Sequence, residues 1–425
     1  MNPFSGSGSG PVPGPVPPDA RRVLDRCDAL ARVSALDGAV ERVHLSSEHA
    51  RVNAVAARWM VEAGMTTWQD QAGNQWGRLE GRSPGLPALV LGSHLDTVTD
   101  AGRFDGILGV VSAIEVVRRL AGRAAELPFA LEVVAFGDEE GTRFSTALMG
   151  SQAVAGNWHE DWWERTDAAG VSVREAAVAF GLDPARIGEA ARRPEDLVGY
   201  LELHIEQGPH LEAADRRLGV VTSIAGARRF AGRVVGEARH AGGTPYPRRR
   251  DALVGASDLV LAVERLAVET GGIGTVGRLQ AHPGGVNVVP GLVEFSLDVR
   301  AEHDDVRDDL VDRIRAHGEE FCSARGMALE LEQTHDAPGV YCDPDLVESV
   351  TAGIAATGDA APLRLWSRAG HDAMAVAAVT PVAMLFLRCE DGISHHPGEN
   401  VRGDDVAAGL DAFEATVLDV ARRRS

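Results

Sequence analysis

The sequence predicts an α/β protein: a mixed, mainly parallel sheet with helices on both faces, plus a smaller α+β unit inserted into it. Two patterns carry this expectation. Short apolar runs ending at glycine alternate with segments of helical spacing over residues 20–205, as in sheets covered on both sides. From about residue 225 to 337 the order becomes strand, helix, strand, strand, helix, strand, which is the ferredoxin-like pattern.

The elements follow in order. Apolar positions recur at helical spacing over 20–36 and 47–64. Ala88 to Leu91, bounded by Gly92, reads as a buried strand ending at Gly92-Ser93-His94. Residues 107–121 are helical in pattern. Phe129 to Phe136 is a second strand, ending at Gly137-Asp138-Glu139-Glu140, and Tyr200 to Ile205 is a third. In the insert, strands at 227–236, 273–281, 291–300 and 327–333 accompany helices at 248–270 and 304–325. The chain then returns to the larger domain with Trp366 to Val379, a strand Val382 to Leu387 and the loop Gly392 to Gly398. The expected division is a Gly/Ser/Pro-rich disordered tail (1–18), a main domain (19–224 and 338–425) and an inserted domain (225–337).

Composition narrows the function. A chain of 425 residues with 44% hydrophobic content can bury a sizeable core. The net charge of −20 argues against nucleic acid or an anionic membrane as partner, while leaving an anionic small molecule open. The four cysteines show no Cys-x-x-Cys spacing, which suits a reduced cytoplasmic setting. The N-terminus lacks the basic and apolar regions of a secretory signal, and no apolar stretch is long enough to span a bilayer.

Acids and histidines gather where apolar runs end, and ligands in such sheets bind at the carboxyl ends of strands. His94 and Asp96 form His-x-Asp after a strand. An imidazole is a good ligand for zinc or manganese, and a carboxylate nearby can orient it through its other nitrogen. Asp105 lies in a turn before a helix, where it is either a helix cap or a carboxylate bridging two cations. Adjacent Glu139 and Glu140 repel each other unless positive charge lies nearby. Strand alternation sends Glu202, His204 and Glu206 to one face. His395 sits in a loop, where a lone histidine is commonly only solvated. Together the set fits two cations that polarise a carbonyl and acidify a water. Glu139 is read as the base that takes the proton, Glu140 as a ligand, and Asp96 as a catalytic residue acting through His94.

All of these residues except His395 lie in the motifs Gly-Ser-His-Leu-Asp-Thr-Val-x-x-Ala-Gly-Arg-Phe-Asp-Gly, Asp-Glu-Glu-Gly-x-Arg-Phe and Glu-x-His-Ile-Glu-Gln-Gly-Pro, and Gly-His-Asp-Ala-Met follows further along the chain. The chain resembles the aminoacylase-type di-metal amidohydrolases from about residue 20 to the end. It looks closest to the branch that cleaves ureido groups: allantoate amidohydrolases, N-carbamoyl-L-amino acid hydrolases and β-ureidopropionases. The resemblance implies a zinc-exopeptidase-like catalytic domain with a lid that also forms a homodimer. It implies two divalent cations, manganese or zinc, held by His94, Asp105, Glu140, His204 and His395, with Asp105 bridging and Glu139 as base. In the Ser-His-x-Pro loop it selects His395 over His396.

The same resemblance implies substrate contacts from Gln207, His240, Asn287, Arg300 and Gly370, with His240 and Asn287 serving either their own subunit or the neighbour. Arg300 suits bidentate capture of a carboxylate, and His240 and Asn287 suit a polarised ureido oxygen. The motifs look most like those of the allantoate amidohydrolases. The alternatives are hydrolysis of an N-carbamoyl amino acid or 3-ureidopropionate, and a metal-holding binding protein of weak activity. Two departures bear on the substrate. Arg368 stands where the family has a pocket glycine, and Gly243 and Tyr246 replace the usual threonine and methionine.

Overall fold

The computed structural model describes residues 16–425. Of the expected tail, residues 1–15 lie outside the described residues. Residues 16–18 depart from it: Val16 sits against Gly403, and a helix begins at Pro18. Two compact units are present. One comprises the chain up to Thr222 with Cys342–Leu365 and His371–Ser425, and the other comprises Ser223–Tyr341 with Trp366–Gly370. Against the expected insert of 225–337, the second unit thus gains a few residues at each end and a short downstream segment.

In the first unit the sheet order is Thr66–Gln69, Gln75–Leu79, Ala130–Phe136, Ala88–His94, Leu197–Ile205, Val382–Leu387, Leu218–Ile224. The four central strands are parallel and the outer ones antiparallel. The central strands are buried almost throughout, which is why they read as continuous apolar runs. Helix Ile107–Leu120 lies on them and packs against Pro18–Ala31 and Gly403–Arg423. Parallel alignment sends the ends at His94, Phe136, Ile205 and Leu387 to one edge, in the registers His94–Phe136 and His204–Phe386.

In the second unit the sheet order is Leu279–His282, Leu292–Ala301, Gly226–Val235, Ala328–Ala337, all antiparallel, with Ile273–Thr275 also paired to Leu292–Ala301. Helices Ala252–Thr270 and Asp304–Ala324 bury Phe230, Leu259, Phe295, Leu297 and Ile314 against it. This is the ferredoxin-like arrangement.

Local chemistry moves several expected boundaries. The first helix stops at Ala31 rather than 36, where the Arg42 side chain takes the carbonyls of Leu30 and Val33. The expected helix at 248–270 starts at Ala252, because the Asp251 carboxylate accepts the N–H groups of Leu253 and Val254. The expected strand at 273–281 is split, and between its parts the Ser296 hydroxyl takes the Arg278 N–H. All four cysteines are buried and unpaired. Among the described residues no helix is long and apolar enough to cross a membrane.

The turn between the first two strands reaches the site edge. Buried Asn74 accepts the Gly137 N–H at 3.0 Å and donates to Asp70 Oδ2 at 2.8 Å and to the Gly150 carbonyl at 3.1 Å. Asn74→Ala strands these partners and is expected to lower stability by about 2–4 kcal/mol, read from urea unfolding by tryptophan fluorescence. A loss below about 0.5 kcal/mol would contradict this role.

Candidate metal centre

The strand ends and two turns build the site within the first unit. His94 closes strand Ala88–His94, and His204 lies one residue from the end of Leu197–Ile205. Glu139 and Glu140 follow Ala130–Phe136 after a turn in which Asp138 has φ of +67°. Asp105 does not cap the following helix; that position belongs to Gly106, at φ +67°. A Cβ there would lie 2.3 Å from His94 Nε2, so any side chain at 106 would displace the imidazole. Gln207 and His395 also have left-handed backbones, at φ +57° and +54°. Such strain persists only where the surroundings hold it, and Asp138, Gln207 and His395 are three of nine non-glycine residues at positive φ among the described residues.

Asp105 is the centre of the site. Its Oδ1 lies 3.2 Å from His204 Nε2 and 3.9 Å from His94 Nε2, and its Oδ2 lies 3.1 Å from His395 Nε2. His395 Nε2 is also 3.5 Å from Glu140 Oε1. The ligand atoms of His94, Asp105 and His204 fall within 4.8 Å of one another, as do those of Asp105, Glu140 and His395. Asp105 belongs to both sets. A third set, His94 with Glu139 and Glu140, places both glutamates close enough to ligate, so position alone does not divide base from ligand. A fourth joins His204 to Glu202 and His371.

Hydrogen bonds orient these groups. His94 Nδ1 faces the Asp96 carbonyl at 3.0 Å and His204 Nδ1 faces the Ile205 carbonyl at 2.8 Å, so both present Nε2. The Asp96 carboxylate was expected to orient His94. It stands 3.6 Å from Nδ1, because the tight turn brings its own backbone carbonyl closer. Instead it accepts the N–H groups of Glu139 at 3.1 Å and Glu140 at 3.2 Å, and so fixes the di-glutamate turn. Of the alternating trio, Glu202 faces Ser93 Oγ at 2.8 Å and Glu206 accepts the N–H groups of His210 and Leu211. In the loop, His396 Nδ1 accepts the Gly398 N–H, leaving His395 to face Asp105.

Two residues were not singled out in the sequence. Glu399 accepts the N–H groups of Phe104 at 2.7 Å and Asp105 at 3.1 Å. Ser394 Oγ lies 2.7 Å from Asp105 Oδ2 and 3.0 Å from Glu399 Oε2. The only signal for either was closeness to the Ser-His-His-Pro loop.

The electrostatics are those of crowded acids. Burial, then the Glu140 charge, pushes the Glu139 carboxyl well above the usual range. Burial, then Asp105, pushes Glu140 up to about 8. Burial works against Asp105 ionisation, but His204 and His395 hold its carboxyl well below the ordinary value. Asp105 in turn raises His395 to about 9, and raises His204 to about 9 against the effect of burial. His204 Nε2 is buried and, although 3.2 Å from Asp105 Oδ1, lacks hydrogen-bond geometry to any neighbour among the described residues. Carboxylates that repel one another and an imidazole nitrogen aimed inward without a bond are a donor set that fits divalent cations.

Gln207 lies among these groups, its Nε2 donating to Asp105 Oδ2 at 2.8 Å. His240, Asn287, Arg300 and Gly370 belong to the second unit. There His240 pairs with Val288, and the Ala241 N–H reaches the Asn287 carbonyl, so His240 and Asn287 share one exposed tongue. The Arg300 Nε edge already grips Asp298 at 2.7 Å, and its Nη1 donates to the Arg368 carbonyl at 3.0 Å. Arg368 itself lies over the Trp366 ring, 4.2 Å from the centroid.

Known proteins resemble this chain along most of its length. Residues 90–419 match the model of peptidase family M20/M25/M40. A probable allantoate deiminase of Oryza sativa subsp. japonica is 40% identical over 420 residues, covering 91% of this chain and 85% of that protein. An N-carbamoyl-L-amino-acid amidohydrolase of Pseudomonas sp. (strain NS671) is 38% identical over 387 residues, covering 90% of this chain and 93% of its own. The crystal structure of an amidase of the hydantoinase/carbamoylase family from Burkholderia multivorans superposes with a TM-score of 0.87 at 36% identity, over 95% of this chain and 98% of that one. With the acids and histidines of its sheet edge gathered around Asp105, the chain belongs to peptidase family M20/M25/M40.

Proposed function

We propose that this amidohydrolase cleaves the ureido C–N bond of allantoate to give ureidoglycine, ammonia and carbon dioxide. The observation that carries the metal chemistry is the pair of donor sets that share Asp105. His94, Asp105, Glu140, His204 and His395 would hold two cations, with Asp105 as the bridge. Imidazole and carboxylate donors without thiolate suit manganese or zinc, and manganese is our choice. When bound, the cations polarise the ureido carbonyl and acidify the attacking water. Glu139 takes the proton from that water and delivers it to the leaving nitrogen. Asp96 supports both glutamates by holding their N–H groups.

The second unit supplies substrate contacts in this reading. His240 and Asn287 hydrogen-bond the ureido oxygen, Gly370 lines the pocket, and Arg300 meets the substrate carboxylate with the N–H groups that Asp298 and the Arg368 carbonyl do not take. A homodimer through this unit is part of the proposal. Val254, Leu261 and Val268 stand exposed at seven-residue spacing on helix Ala252–Thr270, an apolar stripe that a second copy would bury. Four buried thiols without a disulfide suit the cytoplasm. A second reading keeps the chemistry and exchanges the substrate for an N-carbamoyl amino acid or 3-ureidopropionate. The similarity to the Pseudomonas enzyme favours it.

Chelation is expected to abolish ammonia release from allantoate, and manganese to restore it. Glu139→Gln is expected to lower kcat by about 10²–10⁴-fold while the protein keeps its manganese. Activity that survives both treatments would sink the mechanism. Initial rates on allantoate, N-carbamoyl amino acids and 3-ureidopropionate separate the two readings. Allantoate is expected to lead, with Arg368→Gly narrowing the lead; a reversed order supports the second reading.

A further inference from the structure

Arg42 is a fully buried arginine that no metal motif contains. It lies in the segment after the first helix, and its side chain bonds only to backbone. Nε donates to the Leu95 carbonyl at 2.7 Å, between His94 and Asp96. Nη1 donates to the carbonyls of Leu30 and Val33, each at 3.0 Å, at the end of helix Pro18–Ala31. Nη2 is buried without a partner. The Arg42 backbone ties to the same turn: its N–H reaches Thr97 Oγ1 at 3.0 Å, and its carbonyl accepts the Thr97 N–H at 3.0 Å.

Burying a guanidinium is costly unless its charge is matched, and among the described residues no carboxylate forms an ion pair with Arg42. Burial lowers its pKa to about 10, while the nearby Asp96 charge opposes that shift. A helix end alone is adequately served by water or a surface side chain. The position of Arg42 makes sense if the cation is needed beside the turn. Its planar fork spans two directions at once, joining the helix terminus to the peptide between His94 and Asp96, which a lysine ammonium cannot do.

We propose that Arg42 is a positioning residue for the metal centre: it fixes the His94–Asp96 turn so that His94 Nε2 meets the cation shared with Asp105 and His204. The inference rests on His94 being a ligand, as proposed above. Arg42 acts through the turn and touches neither substrate nor metal.

The test uses the full-length protein, manganese alone and a chromophoric chelator as competitor. Arg42→Lys keeps the charge and loses the fork; Arg42→Gln keeps two donors and loses the charge. Both folded variants are expected to bind one of two manganese ions at least about tenfold more weakly, the range seen when supports of metal ligands are removed. The other ion, on Asp105, Glu140 and His395, is expected to hold. A purely structural role would lower Tm and leave both affinities in place, and that result overturns the inference. Should neither variant fold, Thr97→Val, which removes the acceptor of the Arg42 N–H, decides it. It is expected to weaken the same ion by a smaller factor, and unchanged affinity there overturns the inference too. A parent protein that holds no manganese fails the centre itself, whereas a parent with two ions and equally tight variants fails only the role of Arg42.

Discussion

Asp105 places one carboxylate within 4 Å of three imidazoles, and the rest of the site is arranged to keep it there. The Glu399 carboxylate fixes its backbone, Ser394 and Gln207 contact its Oδ2, and Gly106 leaves room for His94 beside it. Burying Glu139 and Glu140 beside Asp96 and Asp105 is unfavourable in itself: burial, and then the neighbouring carboxylates, push both glutamates above the usual range. Divalent cations relieve that cost. The crowding therefore fits a place for positive charge.

The parallel sheet makes such crowding possible. Its four central strands end at one edge, so residues far apart in sequence arrive together. Backbone at positive φ then turns side chains inward at Asp138, Gln207 and His395. Arg42 and Asn74 work from behind, tying the turn after His94 and the strand end before Glu139 to the body of the unit. The glutamate pair illustrates the result. Two residues of one type, adjacent in sequence, receive their N–H support from the same Asp96, yet only Glu140 also faces His395.

Much of this was legible in the sequence because a doubly covered strand must be apolar along its length. Runs such as Ala88 to Leu91 and Phe129 to Phe136 announced both the strands and the polar residues at their ends. The hairpin Thr66–Leu79 escaped because its strands are short and its turn is held by Asp70 and Asn74 side chains rather than by an apolar pattern. The helices Pro344–Ala356 and Gly403–Arg423 likewise fall outside the sequence-based expectation. Roles that depend on distant backbone were not readable. Glu399 serves Phe104 and Asp105, Arg42 serves Leu95, and Arg300 serves the Arg368 carbonyl; a list of residue types carries none of these pairings. The acids and histidines were visible as a set, whereas the position of the Asp96 carboxylate depended on a turn whose geometry only the fold defines.

The most direct test of a centre built on Asp105 is anomalous diffraction from crystals of the manganese-loaded protein. The expected result is two peaks per chain on either side of the Asp105 carboxylate, one beside His94 and His204, the other beside Glu140 and His395. A single peak, or density at Glu202, His204 and His371 with Asp105 uninvolved, would contradict the account.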